Sequence, residues 1–155
     1  MKIIKDKVIV EDSWTHYSGE GEIPEGDVIV SYKVWQDENF SGRRVGVQLE
    51  PGDSVKDIEG DLDKFELIAI NFPTFNDGRG YSMAKLLRDR FGFKKELRAV
   101  GDVMRDQIFY LQRCGFNAYE VKAGRDINDA VKAFEDFTVK YQVSSDEDVP
   151  LYRRK

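Results

Sequence analysis

The alternation of apolar and polar positions predicts a chain of short strands separated by amphipathic helices. Four apolar runs have the length of strands, at residues 45–49, 67–72, 97–100 and 118–121. After each run, apolar residues recur three and four positions apart, as they do on the buried face of a helix. These stretches predict helices over residues 55–62, 82–91 and 103–114, and a fourth that begins near residue 127. The pattern therefore predicts four consecutive βα units.

Residues that commonly bound helices stand at the ends of these stretches. Asp53 or Ser54 is expected to cap the first helix, and Asp126 the fourth. Gly92 and Gly115 are expected to end the second and third helices, because glycine adopts the left-handed conformation at little cost.

The first 42 residues follow a different pattern. The β-branched runs at residues 8–10 and 28–30 predict a β-hairpin or meander, with residues 12–26 as the loop between them. Residues 31–35 are expected to extend the second strand or to begin another. Trp14 and Trp35 are expected to cover one face of the domain, since aromatic rings bury a large apolar area. Stacking of one of them on a flat ligand is the alternative.

Strands joined by a helix must lie parallel, because a crossover returns the chain to the same end of the sheet. Four such units suit half of a (β/α)8 barrel, which a second copy of the chain, in a homodimer, or the N-terminal strands would complete. They also suit an open, doubly wound sheet. The short crossovers and one-sided helices favour the half-barrel. We expect an α/β domain over residues 43–142, an N-terminal β extension at 1–42 and a polar tail at 143–155.

The loops that follow parallel strands open on one edge of the sheet, where parallel-sheet proteins bind ligands. The loop after residue 72 leads into a helix, whose N-terminal N–H groups and dipole attract anions. Arg79 could bind a phosphate, sulfate or carboxylate there, or it could brace a turn by pairing with Asp77 or Asp102. The candidate ligand-binding and anion-binding residues are Asp77, Gly78, Arg79, Gly80, Tyr81, Ser82, Asp102, Arg105 and Asp106.

Charged residues follow all four predicted strands. Glu50, Lys122 and Arg125 complete a ring of charges at the strand ends, which indicates a polar mouth. In its simplest role Asp102 caps the third helix. The loop does not match the dinucleotide-binding fingerprint, because Met83 stands where a third glycine is required. No catalytic residue can be named from the pattern.

Composition narrows the class of protein. The 155 residues are 41% hydrophobic and 34% charged, which is typical of a globular domain. A formal net charge of −5 argues against general nucleic-acid binding and against an anionic membrane surface. The chain has no apolar stretch of transmembrane length and no N-terminal segment typical of a signal peptide. We therefore expect a cytoplasmic protein.

The chain has one cysteine and one histidine, which limits the metal sites that it can form. Cys114 is the only cysteine and His16 the only histidine, so one chain cannot supply the ligands of a structural zinc or an iron–sulfur cluster. Cys114 lies on the apolar stripe of its helix and is expected to be buried. His16 is expected to be exposed in a loop. Tyr110 and Arg113 are expected on the solvent side of the third helix, where they could serve a partner.

Several ordered motifs together resemble one bacterial family of unknown function. The resemblance covers about residues 43–142 and rests on Phe72-Pro73-x-Phe75-x-Asp77-Gly78-Arg79-Gly80-Tyr81-Ser82, Leu86-Leu87-Arg88, Glu96-Leu97-Arg98-Ala99-Val100-Gly101-Asp102-Val103, Arg105-Asp106-Gln107 and Arg113-Cys114-Gly115-Phe116. Members of that family are labelled probable oxidoreductases of sulfite reduction. They typically occur beside sulfite reductase in sulfur-assimilation operons.

The resemblance implies an accessory or electron-delivery protein that acts with a sulfite reductase or its electron donor. The sequence has no iron–sulfur, haem or zinc ligand set, so we expect the sirohaem and cluster on the partner. The cofactor of this chain stays unknown. A flavin has little support, because the acidic segment Glu50-Pro51-Gly52-Asp53 stands where a flavodoxin has its phosphate-binding loop. The alternative is a small α/β enzyme that binds an oxyanion such as sulfite, or a nucleotide cofactor, at the strand ends.

Overall fold

The computed structural model describes residues 2–74, 78–122 and 124–141, with side chains as far as residue 134. Its strands are β1 (Lys2–Lys5), β2 (Val8–Glu11), β3 (Thr15–His16), β4 (Val28–Ser31), β5 (Val45–Leu49), β6 (Leu67–Phe72), β7 (Glu96–Gly101) and β8 (Ala118–Tyr119). Its helices are α1 (Tyr32–Asp37), a 3₁₀ helix (Val55–Lys64), α2 (Arg79–Lys85) with a π-helical continuation (Leu86–Arg90), α3 (Arg105–Cys114) and α4 (Ile127–Tyr141).

All eight strands form one mixed sheet in the order β2-β1-β8-β7-β6-β5-β4-β3. From β3 to β8 each strand pairs in parallel with the next strand along the chain. The β1–β2 hairpin is antiparallel and extends the sheet beyond β8. The predicted α/β class and the parallel βα units are therefore confirmed, and an N-terminal hairpin is present. It is formed by β1 and β2 and not, as predicted, by the runs at residues 8–10 and 28–30, because β4 pairs with β3 and β5.

The two faces of the sheet have different partners. Alternate residues of β6, Ile68, Ile70 and Phe72, pack in one large core with Leu87 and Ile108 from the helices. The helices thus cover one face. A doubly wound sheet needs a reversal of strand order, whereas the order here runs in one direction from β3 to β8. The half-barrel prediction is confirmed over the open doubly wound sheet.

The sheet curls around its other, concave face. His16 on β3 lies 2.9 Å from the carboxylate of Glu120, which directly follows β8. Five strand spacings separate β3 from β8, which would be about 24 Å in a flat sheet. The two edge strands of the sheet, β2 and β3, are connected by residues 12–14 alone. Four Cα steps span at most about 14 Å, so the two edges of the sheet approach each other.

Three further predictions for the N-terminal segment were wrong. The strand ends at Ser31 and residues 32–35 belong to α1, because the Ser31 hydroxyl accepts a hydrogen bond from Val34 N at 3.2 Å and caps this helix. The stretch 12–26 is not loop throughout, since it contains β3. The tryptophans do not share a face: Trp35 packs edge-on against Phe65 in the helix-covered core, and Trp14 packs on the concave face.

The helix ends match the predictions in part. Gly115 ends α3 with a φ of 115°, and the Asp126 carboxylate caps α4 by accepting a hydrogen bond from Asn128 N at 2.9 Å. Asp102 does not cap α3. Met104 occupies the cap position, where its N–H donates to the Gln107 side chain at 3.1 Å.

At the 3₁₀ helix, Ser54 occupies the cap position without a side-chain hydrogen bond. The Asp53 carboxylate instead accepts a hydrogen bond from Glu50 N at 2.7 Å. Asp53 therefore fixes the turn after β5 and does not satisfy the first N–H groups of the helix.

Candidate functional site

Gly80 and Tyr81, two residues of the predicted anion site, pack the start of α2 on the sheet. Gly80 is buried, and a Cβ on it would lie 2.6 Å from the Phe72 ring. Tyr81 packs its ring against Phe72, with centroids 5.1 Å apart, and burial raises the pKa of its hydroxyl. Arg79 and Ser82 are exposed on the same helix. Asp77 lies outside the described residues, so its role stays a prediction.

The charges at the strand ends have polar partners. Lys122 Nζ lies 3.0 Å from the Asp102 carboxylate, which links the loops after β7 and β8. Glu50 accepts hydrogen bonds from Asn71 at 2.7 Å and from Gln48 at 3.0 Å. The polar mouth thus contains neighbouring charges from adjacent loops, and these charges also hold the loops together.

A cavity of about 480 Å³ lies between the N-terminal ends of α3 and α4. Arg105 and Asp106 line it, as predicted for the ligand site, together with Arg125 from the predicted ring. Arg105 also donates to the Asp129 carboxylate at 2.8 Å. Two helix N-termini and two guanidinium groups favour an anion, whereas the carboxylates that also line the cavity oppose one.

The predicted residues therefore separate into groups. Arg105 and Asp106 share the cavity between α3 and α4. Asp102 pairs beside it with Lys122. The stretch 78–82 belongs to the start of α2, and none of its residues lines this cavity.

The concave face contains a buried charge network that the sequence pattern did not predict. Arg98 in β7 is 1% exposed, and its guanidinium forms two parallel hydrogen bonds with Asp12, at 2.9 and 3.0 Å. It also donates to Glu96 at 2.8 Å and to Glu120 at 2.8 Å. Lys5 approaches the far side of Glu96, at 3.1 Å.

The network extends to the single histidine. His16 Nε2 lies 2.9 Å from the Glu120 carboxylate. The predicted exposure of His16 is confirmed, but the residue lies in β3 and not in a loop. Burial alone would raise the pKa of Glu120, but hydrogen bonds from His16 and Arg98 hold it below its ordinary value. Burial likewise opposes the charge of Arg98, yet its carboxylate partners raise its pKa. Both side chains are therefore charged.

A sequence signal for this network does exist. Arg98 stands in the middle of the apolar run that forms β7, at a position whose neighbours Leu97 and Ala99 face the helix-covered core. A charged residue in such a run is either at an exposed sheet face or buried with partners. Its partners come from residues far apart in the chain, which is why the pattern alone did not identify them.

Three other candidate residues lie as expected. Cys114 is buried, and burial raises the pKa of its thiol, which makes it unreactive. Tyr110 is 55% exposed and Arg113 is also exposed, on the outer side of α3.

The described part of the chain contains no group of three or more His, Cys, Asp or Glu side chains that could hold a metal ion. None of its described helices has the length and apolar character needed to cross a membrane.

The chain is similar to a known bacterial family. The model of a family described as "Bacterial protein of unknown function (DUF934)" matches residues 46–152. No curated protein matches the chain.

Proposed function

We propose, from the premise that this chain belongs to the DUF934 family of bacterial proteins of unknown function, that it is an accessory protein of assimilatory sulfite reduction. In this role it binds a sulfite reductase, or the electron donor of that enzyme, and has no turnover alone. The resemblance of its motifs to proteins encoded beside sulfite reductase motivates the choice of partner.

One surface of the molecule carries the proposal. Tyr110 exposes half of its side chain on α3 and packs against Tyr81 of α2, with ring centroids 4.9 Å apart. One turn further along α3, the Arg113 guanidinium lies 5.9 Å from the Phe109 ring centroid. We call these four residues the Tyr110 surface.

Exposed tyrosine and arginine side chains on a rigid helix are typical of protein-binding surfaces. Tyr81 restrains the Tyr110 ring, so this side chain would lose little conformational entropy when a partner binds. The net charge of −5 favours a partner with a basic face, because complementary charge speeds encounter.

The affinity of the sulfite reductase holoenzyme from the same bacterium for this protein tests the proposal. We expect wild-type protein to bind, and Tyr110→Ala to bind at least about tenfold more weakly, as for the central residue of an interface. Val8→Ala is the matched control, since Val8 is 56% exposed on β2 and lies on a different element. It should bind like wild type.

Two results would count against this account. If wild-type protein does not associate with the reductase or its electron donor, the accessory role is wrong. If Tyr110→Ala binds as tightly as wild type, the Tyr110 surface is not the contact.

The cavity between α3 and α4 favours a second candidate function, a small α/β enzyme that binds an oxyanion or a nucleotide at the strand ends. Arg105 is held by Asp129, whereas Arg125 extends from the loop before α4. The two guanidinium groups could bind an anion between them. A ligand at one hundred times its Kd stabilises a protein by about 2.7 kcal/mol, which thermal unfolding detects readily.

Sodium sulfite, sodium phosphate and ATP are suitable probes, with sodium chloride at equal ionic strength as the control salt. An enzyme of this kind would show a saturable rise in Tm with one of these probes that Arg125→Gln abolishes and the exposed Arg90→Gln retains. Equal Tm values in all salts would remove this candidate.

A further inference from the structure

A second cavity, of about 260 Å³, opens where β3, β4 and β5 meet. It lies apart from the Tyr110 surface and from the cavity between α3 and α4. Tyr17, Ile29 and Val30 provide its apolar lining. Its polar lining comes from His16, Ser18, Ser31, Gln48 and Glu50.

The polar groups of this cavity mostly accept hydrogen bonds. The amide N–H groups of Gln48 and Asn71 already donate to the two oxygens of Glu50, at 3.0 and 2.7 Å. The amide oxygen of Gln48 and the second lone pairs of the Glu50 carboxylate remain as acceptors. A ligand that offers hydrogen-bond donors would complement them.

His16 adds a further acceptor. An ionised Glu120 can only accept, so the proton on the His16 ring lies on Nε2, which bonds that carboxylate at 2.9 Å. In the neutral ring Nδ1 then carries a lone pair. The carboxylate orients the imidazole, and the buried Arg98 in turn fixes the carboxylate at 2.8 Å.

The charge around the cavity is negative. The Arg98 network contains the carboxylates of Asp12, Glu96 and Glu120 and the cations of Arg98 and Lys5. Glu50 adds a fourth carboxylate outside this network, where it accepts from Asn71 and Gln48. Two negative charges are therefore left over before His16 is counted. A ligand cation would offset this excess by pairing with Glu50, which is exposed at the cavity.

We propose that this cavity binds a small primary ammonium carried on a short aliphatic chain. The ammonium donates to the Glu50 carboxylate, the Gln48 amide oxygen and His16 Nδ1. The aliphatic chain packs on Ile29, which lies on the concave face of the sheet. The proposal does not depend on the accessory role in sulfite reduction.

The single histidine makes the test specific, because His16 alone gives imidazole ring signals in an NMR spectrum. Three probes of equal chain length, butylammonium, 1-butanol and butyrate, are titrated at fixed pH and ionic strength. We expect a saturable shift of the His16 ring signals with butylammonium, at least tenfold weaker binding of 1-butanol, and no response to butyrate.

Two variants test whether Glu50 is the carboxylate that binds the ammonium. Glu50→Gln, which keeps the size of the side chain, should weaken butylammonium binding at least tenfold. Glu59→Gln, at an exposed position of the 3₁₀ helix, should leave it unchanged. The amide spectrum of each variant shows that the fold is intact. The proposal is overturned if butylammonium gives no saturable shift, if butyrate binds as well, or if Glu50→Gln binds like wild type.

Discussion

Arg98 is the residue on which the concave face depends. A buried guanidinium is tolerable only when carboxylates surround it, and here three of them do so at 2.8 to 3.0 Å. Those carboxylates come from the segment after β2, from β7 and from the end of β8. The side chain therefore connects distant parts of the chain, and its partner Asp12 lies 86 positions away in sequence.

Replacing Arg98 by methionine should destabilise the fold strongly. The change leaves three carboxylates in a buried site without their cation, and breaking a buried ion pair from one side costs about 3 to 5 kcal/mol. Urea unfolding at pH 7 measures the loss. Arg90→Met, at an exposed position, should change the free energy of unfolding by less than about 0.5 kcal/mol. Equal stability of the two variants would contradict the role given to the network.

Glu120 makes the stability depend on pH. Its pKa is lower in the folded chain than the ordinary value of 4.5, so its stabilising contribution is complete above that value. The contribution is lost as the pH falls through the folded pKa, where the carboxylate takes up a proton. We expect the free energy of unfolding of wild-type protein to fall steeply below about pH 4.5.

Glu120→Gln removes this titration. At pH 7 the variant should lose about 1.5 to 3 kcal/mol, the usual value of a hydrogen bond to a charged group. Between pH 5 and pH 3 its stability should decline less than that of wild type, as measured by urea unfolding at each pH. Glu59→Gln is the control, and its profile should follow wild type. A Glu120→Gln profile parallel to wild type would show that this carboxylate does not couple folding to pH.

At the scale of the elements, α2 lies close to β6 because Gly80 has no side chain. A Cβ at this position would meet the Phe72 ring at 2.6 Å and the Ile70 side chain at 3.1 Å. The glycine that suggested an anion-binding loop is thus explained by close packing of helix on strand.

Gly80→Ala should destabilise the protein by about 1 to 3 kcal/mol, the usual cost of overpacking a core. Gly60→Ala is the matched control: it also lies in a helix, no atom lies within 4 Å of its Cβ position, and alanine is the better helix former. This control should be neutral or slightly stabilised in thermal unfolding. If Gly80→Ala were as stable as Gly60→Ala, the glycine would not be required for packing.

Local pattern was enough to predict most elements. The spacing of Ile108, Leu111 and Cys114 predicted α3, because a helix packed on one side repeats its buried positions every three to four residues. It was not enough for α1, whose Tyr32, Val34 and Trp35 have the composition of a strand. There the Ser31 cap and the packing of Trp35 on Phe65 favour the helix.

At the scale of the molecule, the sequence predicted that the strands are parallel and that the sheet follows a half-barrel. The curl itself depends on contacts between distant residues, such as His16 with Glu120, which no local pattern encodes. The candidate site was predicted in part for the same reason. Arg105, Asp106 and Arg125 meet in one cavity, whereas Gly80 and Tyr81 pack α2 on β6, and the Arg98 network was missed.

The accessory role in sulfite reduction is tested most directly by the absorbance spectrum, from 300 to 700 nm, of the protein purified from its own host before and after a high-salt wash. The proposal predicts a sirohaem-like band before the wash, because the reductase copurifies, and loss of that band afterwards. A flavin spectrum that survives the wash would contradict the proposal, since the redox group would then belong to this chain.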